Sequence, residues 1–278
     1  MDELLLHYEA LLRLACFLAI LAAMVLWERR AALRPYSQPR GRRWLANLGL
    51  GLVDTLVLRL TLPVLAAGVA LIAEERGWGL FNQLAWPAWV KFVLALLALD
   101  LAIYGQHLMM HKVPLLWRLH RLHHSDLDFD ASTALRFHPL EIVLSMLLKI
   151  ALVLLLGAPA AAVIAFEVIL NATSVFNHGN VSVPPRLEPL LRRLLVTPDM
   201  HRVHHSWYRE ETDSNFGFNL SCWDRLFGTY RAQPRDGHLA MTVGLQEFRD
   251  RRWLRLHWLL LQPFVDARRA DEAQALQR

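Results

Sequence analysis

The fourteen-residue run from Leu14 to Trp27 carries no charge. It constrains the fold more than any other feature. A bilayer core of about 30 Å takes roughly 20 apolar residues in a helix, and Leu4–Leu12, interrupted by His7 and Glu9, extends the run. The chain opens Met1-Asp2-Glu3 with no basic segment before the run, which favours a transmembrane helix over a signal peptide. The pattern predicts helices at about 5–27, 45–73 and 88–106. A further apolar region, 142–176, is split at Gly157-Ala158-Pro159 into two short halves. Asp54 and Arg59 fall within the second helix, and charges at that depth face protein rather than lipid. Trp253–Phe264 reads as an amphipathic stretch for the membrane surface, and a frayed tail is expected from Asp266. The composition agrees: 55% of the 278 residues are apolar and two are Cys, which excludes a disulfide scaffold or a Cys-based metal framework. The expected fold is therefore an all-α polytopic bundle of four to five membrane helices.

Orientation comes from arginine. Loop 28–44 holds Arg29, Arg30, Arg34, Arg40, Arg42 and Arg43, whereas loop 74–87 holds one Arg and two Glu. The positive-inside rule places the first loop in the cytoplasm, and counting spans places 107–140 and the chain after Asn177 there too. The net charge of +5 is thus mainly a topology signal and does not argue for nucleic-acid binding.

Ten of the 13 His fall into five clusters, all of them in these cytoplasmic segments. They are His107-x3-His111, His120-x2-His123-His124, His138, His178 and His201-x2-His204-His205. At this histidine content a given H-x-x-H-H triplet has a chance of roughly one in ten thousand, so composition does not account for two copies. Residues three and four apart share a helix face, so each group projects imidazoles to one side. Neutral imidazole is a common metal ligand. Ten His exceed the three or four that one zinc needs, which points to a dinuclear centre with open positions. His138 and His178 stand alone, and spacing leaves each open between ligand and hydrogen-bonded structural residue. His7, His238 and His257 lie outside any cluster.

The ordered motifs D-x3-Y-x2-H-x3-H (Asp100, Tyr104, His107, His111), Pro114–Ser125, R-F-H-P-L-E (Arg136–Glu141), N-H-G-N (Asn177–Asn180), Thr197–Ser206 and Asn215–Tyr230 resemble the fatty acid hydroxylase / sterol desaturase superfamily. The sterol oxidase and alkylglycerol monooxygenase branches look nearest. The resemblance covers roughly residues 95–232. It implies membrane helices capped by a histidine cluster holding two iron ions, with zinc as a substitute metal. His107, His111, His120, His123, His124, His201, His204 and His205 match its ligand motifs, and His178 a further ligand. His138 matches a His-Pro-x-Glu element. Some hydroxylases carry another His four residues before the one matching His178; here Ser174 stands there, and His138 is expected to supply the tenth ligand instead. The resemblance divides the chain into a two-helix region (1–88), a histidine-motif domain (89–232) and a C-terminal segment (233–278).

The implied activity is O2-dependent hydroxylation or desaturation of a lipid: fatty acyl, sterol-like or ether lipid. With no G-x-G-x-x-G and no Cys cluster, electrons come from an external ferredoxin-, rubredoxin- or cytochrome b5-like donor. Arg118, Arg121, Arg136, Arg192, Arg193 and Arg202 are expected to form a surface for that donor or for anionic lipid headgroups. Asp100, Glu141, Asp199, Asp213 and Asp224 are candidates to orient the imidazoles, with Tyr104 and Asn180 as further neighbours. No catalytic residue beyond the metal centre is identifiable. Two rival classes remain: a histidine-rich membrane metal-binding or transport protein, and a di-zinc hydrolase. A transporter places its ligands mid-bilayer, and a hydrolase mixes in carboxylates.

Overall fold

A computed structural model of the chain describes residues 8–266; the expectations for His7 and for the tail beyond Asp266 fall outside them. Among the described residues the fold is all-helical, with isolated bridges and no β-strand. Five helical stretches are long and apolar enough to cross a membrane. They are α1 (Glu9–Ala31), the pair α2 (Arg40–Thr61) and α3 (Ala66–Glu75), α4 (Ala88–Lys112), α6 (Pro139–Leu156) and α7 (Ala160–Asn177). The short α5 (Pro114–His124) and α9 (Pro198–His204) belong to the cap, as does α8 (Glu188–Leu194). Outward faces carry Leu14, Leu45, Leu52, Leu60 and Leu155, each more than half exposed. Such a contiguous apolar girdle suits lipid rather than water, and the chain is a multi-pass membrane protein.

The helix expected over 45–73 begins earlier, at Arg40, and is broken. Pro63 forces its predecessor out of the helical region, and Leu62 is extended at φ −123°, ψ 103°. Beyond the break, α3 presents Ala66, Ala67, Ala70 and Ala73, all fully buried, so that small side chains let it lie close against α6 and α7. The two halves of 142–176 are separate helices of 18 residues each. Gly157 closes α6 at φ +64°, a left-handed position that favours glycine, and Pro159 starts the return.

The histidine-bearing cap sits at one end of this bundle and is bolted to it by buried charge. The Glu28 carboxylate, at the end of α1, accepts from the backbone N–H groups of Ala131 (2.8 Å) and Asn180 (3.1 Å) and pairs with Arg40 (2.8 Å). Arg43 of α2 grips Asp126 through two parallel bonds of 2.7 and 2.8 Å and reaches Asp130 at 2.9 Å. The segment 251–264 is not a continuous amphipathic helix: short 3-10 turns flank a six-residue helix, Leu256–Leu261. It packs Leu259 against Ala46, Leu50 and Leu122, while Leu261 and Phe264 remain exposed.

Candidate metal centre

Two short helices and two helix ends bring nine imidazoles together. The last turns of α4 supply His107 and His111, α5 supplies His120, His123 and His124, His178 caps α7, and α9 with its cap supplies His201, His204 and His205. All nine are buried. They sort into two groups, each able to bring one nitrogen per ring within 4.8 Å of the others. The first is His107, His111, His120, His124 and His204; the second is His123, His178, His201 and His205. Each H-x-x-H-H triplet feeds both. Residues four apart, such as His120 and His124, point about 40° apart around the helix, whereas the adjacent His123 and His124 point about 100° apart and so reach different groups. The groups adjoin, with His124 and His205 stacked at 4.5 Å between centroids.

The hydrogen bonds decide which nitrogen faces inward. Nδ1–H donates to the Phe216 carbonyl from His107 (2.8 Å), to the Glu141 carboxylate from His120 (2.6 Å) and to the Arg136 carbonyl from His123 (3.2 Å). It donates to the Ser174 carbonyl from His178 and to the Ser214 carbonyl from His204, both at 2.7 Å. An Nδ1 that donates leaves a bare Nε2 in a neutral ring. Yet Nε2 of His107 lies 3.1 Å from Nε2 of His120, and Nε2 of His123 lies 3.0 Å from Nε2 of His178. Two facing lone pairs form no hydrogen bond, and they repel unless a cation lies between them. Two nitrogens about 2.1 Å from one ion, at right angles, stand roughly 3.0 Å apart. The remaining rings agree: both nitrogens of His111 and His124, and Nε2 of His204 and His205, are buried without a hydrogen-bond partner. The residues fit a pair of metal ions.

Electrostatics keeps those lone pairs free. Burial, reinforced by neighbouring imidazoles, drives His123, His124, His201 and His205 well below the usual histidine range. Burial also pushes His178 down to about 4 and His204 to about 3, against their carbonyl hydrogen bonds. A folded-state value below that of the unfolded chain means the unfolded state binds more protons in between. Stability is therefore full above about pH 6.5 and falls as pH drops towards 4. Thermal melts of the chelator-treated protein should show a flat Tm above pH 7 and a steep decline below 6; an unchanged Tm down to pH 4.5 would contradict neutral buried imidazoles.

A cavity of about 480 Å³ lies beneath the first group, walled by α1, α2, α4, α6 and α7. His107 and His120 form part of its lining, beside apolar Phe17, Ile103, Met146 and Leu170.

Residues 92–229 match the family described as fatty acid hydroxylase. The chain carries a fatty acid hydroxylase domain. An ornithine lipid hydroxylase of Rhizobium tropici is 33% identical over 54% of this chain and 44% of its own length. The alkylglycerol monooxygenase of Homo sapiens is 35% identical over 62% of this chain and 38% of its own. A cholesterol 25-hydroxylase of Rattus norvegicus is 28% identical over 76% of this chain and 69% of its own. This chain thus spans less than half the length of the first two relatives. No solved structure matches it.

Within this domain His138 departs from expectation: it lies outside both groups. Its Nδ1 accepts from the Leu140 N–H as the N-cap of α6, and its Nε2 meets the Leu260 carbonyl, each at 3.2 Å. Both nitrogens are engaged elsewhere. The arginine surface is a second correction. Arg136 and Arg202 are fully buried and Arg121 nearly so, because each is consumed by internal acceptors. Arg136 donates to the Leu122 carbonyl, Asn47 and Ser125; Arg202 pairs with Asp199 at 2.7 Å; Arg121 donates to the Gln262 and Val265 carbonyls. Arg118 and Arg193 remain exposed.

Of the candidate carboxylates, Glu141 alone makes a hydrogen bond to an imidazole, while Asp213 sits 3.4 Å from His111 and also holds Lys112 and Arg209. Asp224 acts one step back, accepting from the Phe216 and Gly217 N–H groups and so fixing the carbonyl that orients His107. A Cβ on Gly217 would come within 2.8 Å of that carboxylate, so the N-F-G-F segment needs glycine there. Asp100 accepts from Trp223, Tyr104 bonds Thr229, Asp199 pairs with Arg202 and Asn180 holds Arg34. The backbone acceptors at Arg136, Ser174, Ser214 and Phe216 escape sequence reasoning, because a carbonyl has no residue-type signature.

Proposed function

We propose that this chain is an integral-membrane di-iron oxygenase that hydroxylates or desaturates a lipid, using O2 and electrons from an external donor. The observation that carries this reading is a buried nine-histidine cluster, with lone pairs converging in two groups, one of which opens on an apolar cavity among membrane helices. His107, His111, His120, His124 and His204 would hold one ion, and His123, His178, His201 and His205 the other. When bound, such ions supply O2 reduction coupled to C–H oxidation. For hydroxylation the balance is one C–H and O2, with two electrons and two protons, giving one C–OH and one water.

The chain's own residues hold and orient. The carbonyls of Phe216, Arg136, Ser174 and Ser214 and the Glu141 carboxylate fix ring tautomers and directions, which sharpens a metal site as much as its ligands do. The cavity receives the lipid from the bilayer and excludes water from the reacting carbon. The histidine cap faces the cytoplasm under the positive-inside rule, where a ferredoxin- or cytochrome b5-like protein can deliver electrons.

Metal analysis of protein expressed under iron-replete conditions, coupled to lipid mass spectrometry with and without O2, tests this. Two irons per chain and products gaining one oxygen or losing two hydrogens only under O2 are expected. Two zincs with O2-independent hydrolysis would overturn it.

A further inference from the structure

Two walls of the cavity are not packed against each other. On α1 it is lined by Ala10, Arg13, Leu14 and Phe17, and on α2 by Gly51, Asp54, Thr55 and Leu58. Both sets follow the i, i+3, i+4, i+7 spacing of a single helix face. Yet α1 leans on α7 and on the 131–135 turn, while α2 packs on α6 and on the same turn. The two helices are tied at the cap, where Glu28 pairs with Arg40. Below that tie the stripes stand apart, and Ala10, Leu14 and Thr55 are exposed although they line the cavity. The cavity therefore opens sideways, between α1 and α2, inside the membrane-spanning part of the bundle.

An arginine stands on each side of this mouth. Arg13 is held by Glu167 at 2.5 Å and by Glu9 at 3.3 Å. Lys149 shares Glu167, and lies eight residues beyond Glu141 on α6, so this level is about 12 Å from the Glu141–His120 bond. Arg59, at the edge of the α2 stripe, lines the cavity and is exposed, and it makes no hydrogen bond or ion pair with any described residue. Asp54, five residues back, points about 140° away around the helix. An unpaired charge inside a membrane span is costly, and such residues mark functional positions.

We propose that a lipid enters tail-first through the cleft between α1 and α2, and that Arg59 holds its anionic group, a phosphate or a carboxylate, at the mouth. A guanidinium offers two parallel N–H donors to two oxygens of such a group. The carbons that reach His107 and His120 are then those well along the chain, not those beside the head group. This rests on the oxygenase reading and deepens it by naming the entry route and the substrate's charge. Arg59 is a specificity-determining residue here, not a metal ligand.

The test is ligand binding to the full-length protein as purified, in detergent, anaerobic and without reductant, so that no turnover is involved. The probes share a sixteen-carbon chain: hexadecyl phosphate, palmitate and the uncharged methyl palmitate. Affinity is read from thermal stabilisation, with metal content measured alongside. Leu14→Trp and Thr55→Trp fill the mouth from either side, and each should weaken all three probes about tenfold or more with metal content unchanged. Leu11→Trp and Leu56→Trp are the controls, since both residues are exposed on the same helices but lie outside the cavity lining. They should stay within about twofold of the parent. At least one anionic probe should bind about tenfold tighter than methyl palmitate, and Arg59→Gln should erase that preference. The tighter of the two anions tells a phosphate from a carboxylate. Parent-like binding in both mouth variants would overturn the entry route. Equal affinity for methyl palmitate, or a preference that survives Arg59→Gln, would overturn the role of Arg59. Absence of O2-dependent products in the separate turnover assay would instead overturn the oxygenase reading.

Discussion

Replacing His124 with alanine is expected to remove at least one metal ion per chain and to cut turnover about a thousandfold or more. Both of its ring nitrogens are buried without a hydrogen-bond partner, and its ring packs within 4.7 Å of those of His111, His204 and His205. His123→Ala should do the same from the second group, because its Nε2 faces that of His178 at 3.0 Å. The informative contrast is His138→Ala. It removes a helix N-cap worth about 1 kcal/mol and should leave metal content intact, with turnover within about twofold of the parent. Metal analysis and O2-dependent lipid oxidation on the three variants decide the matter. Full metal and turnover in His124→Ala, or loss of metal in His138→Ala, would contradict the grouping.

That contrast marks where sequence reasoning reached and where it stopped. The triplets were legible because helical period converts spacing into a shared face, and eight ligand candidates follow from that alone. His138 and His178 are alike in sequence, each a lone histidine beside a helix end. Only the fold separates them: His178 caps α7 where it runs into the cap, while His138 caps α6 and turns its ring toward Leu260. Membrane helices were legible from apolar runs, but hydrophobicity alone carried the second one through Pro63, where backbone sterics stop it. The arginines misled in a different way. Charge was read as surface and topology, whereas Arg43, Arg136 and Arg202 have no exposed surface at all. Their partners lie far away in sequence, 83 residues for Arg43 and Asp126 and 89 for Arg136 and Asn47, and no local pattern reports such a pairing.

Arg43→Met should therefore be among the most damaging changes outside the histidines. Its guanidinium holds Asp126 by two bonds and Asp130 by a third, with all three side chains essentially unexposed. Asp126 lies two residues past the first triplet, and its other neighbours, Thr133 and Asn47, contribute neutral bonds only. Burial opposes ionisation of Asp126, yet Arg43 and Arg136 together hold its carboxyl far below the usual carboxylate range. Methionine fills much of the volume but leaves buried carboxylates with half their cationic support. Breaking a buried pair from one side costs about 3–5 kcal/mol, on the order of 10 °C in Tm at about 2–4 °C per kcal/mol. Metal occupancy should fall with it, because the same network positions Arg136, whose carbonyl orients His123. Pairing Arg43→Met with Asp126→Leu removes the stranded charge and should restore a large part of the lost Tm. A single variant within about 2 °C of the parent, or a double variant no better than the single, would show that this pair does not bind the cap to the membrane helices.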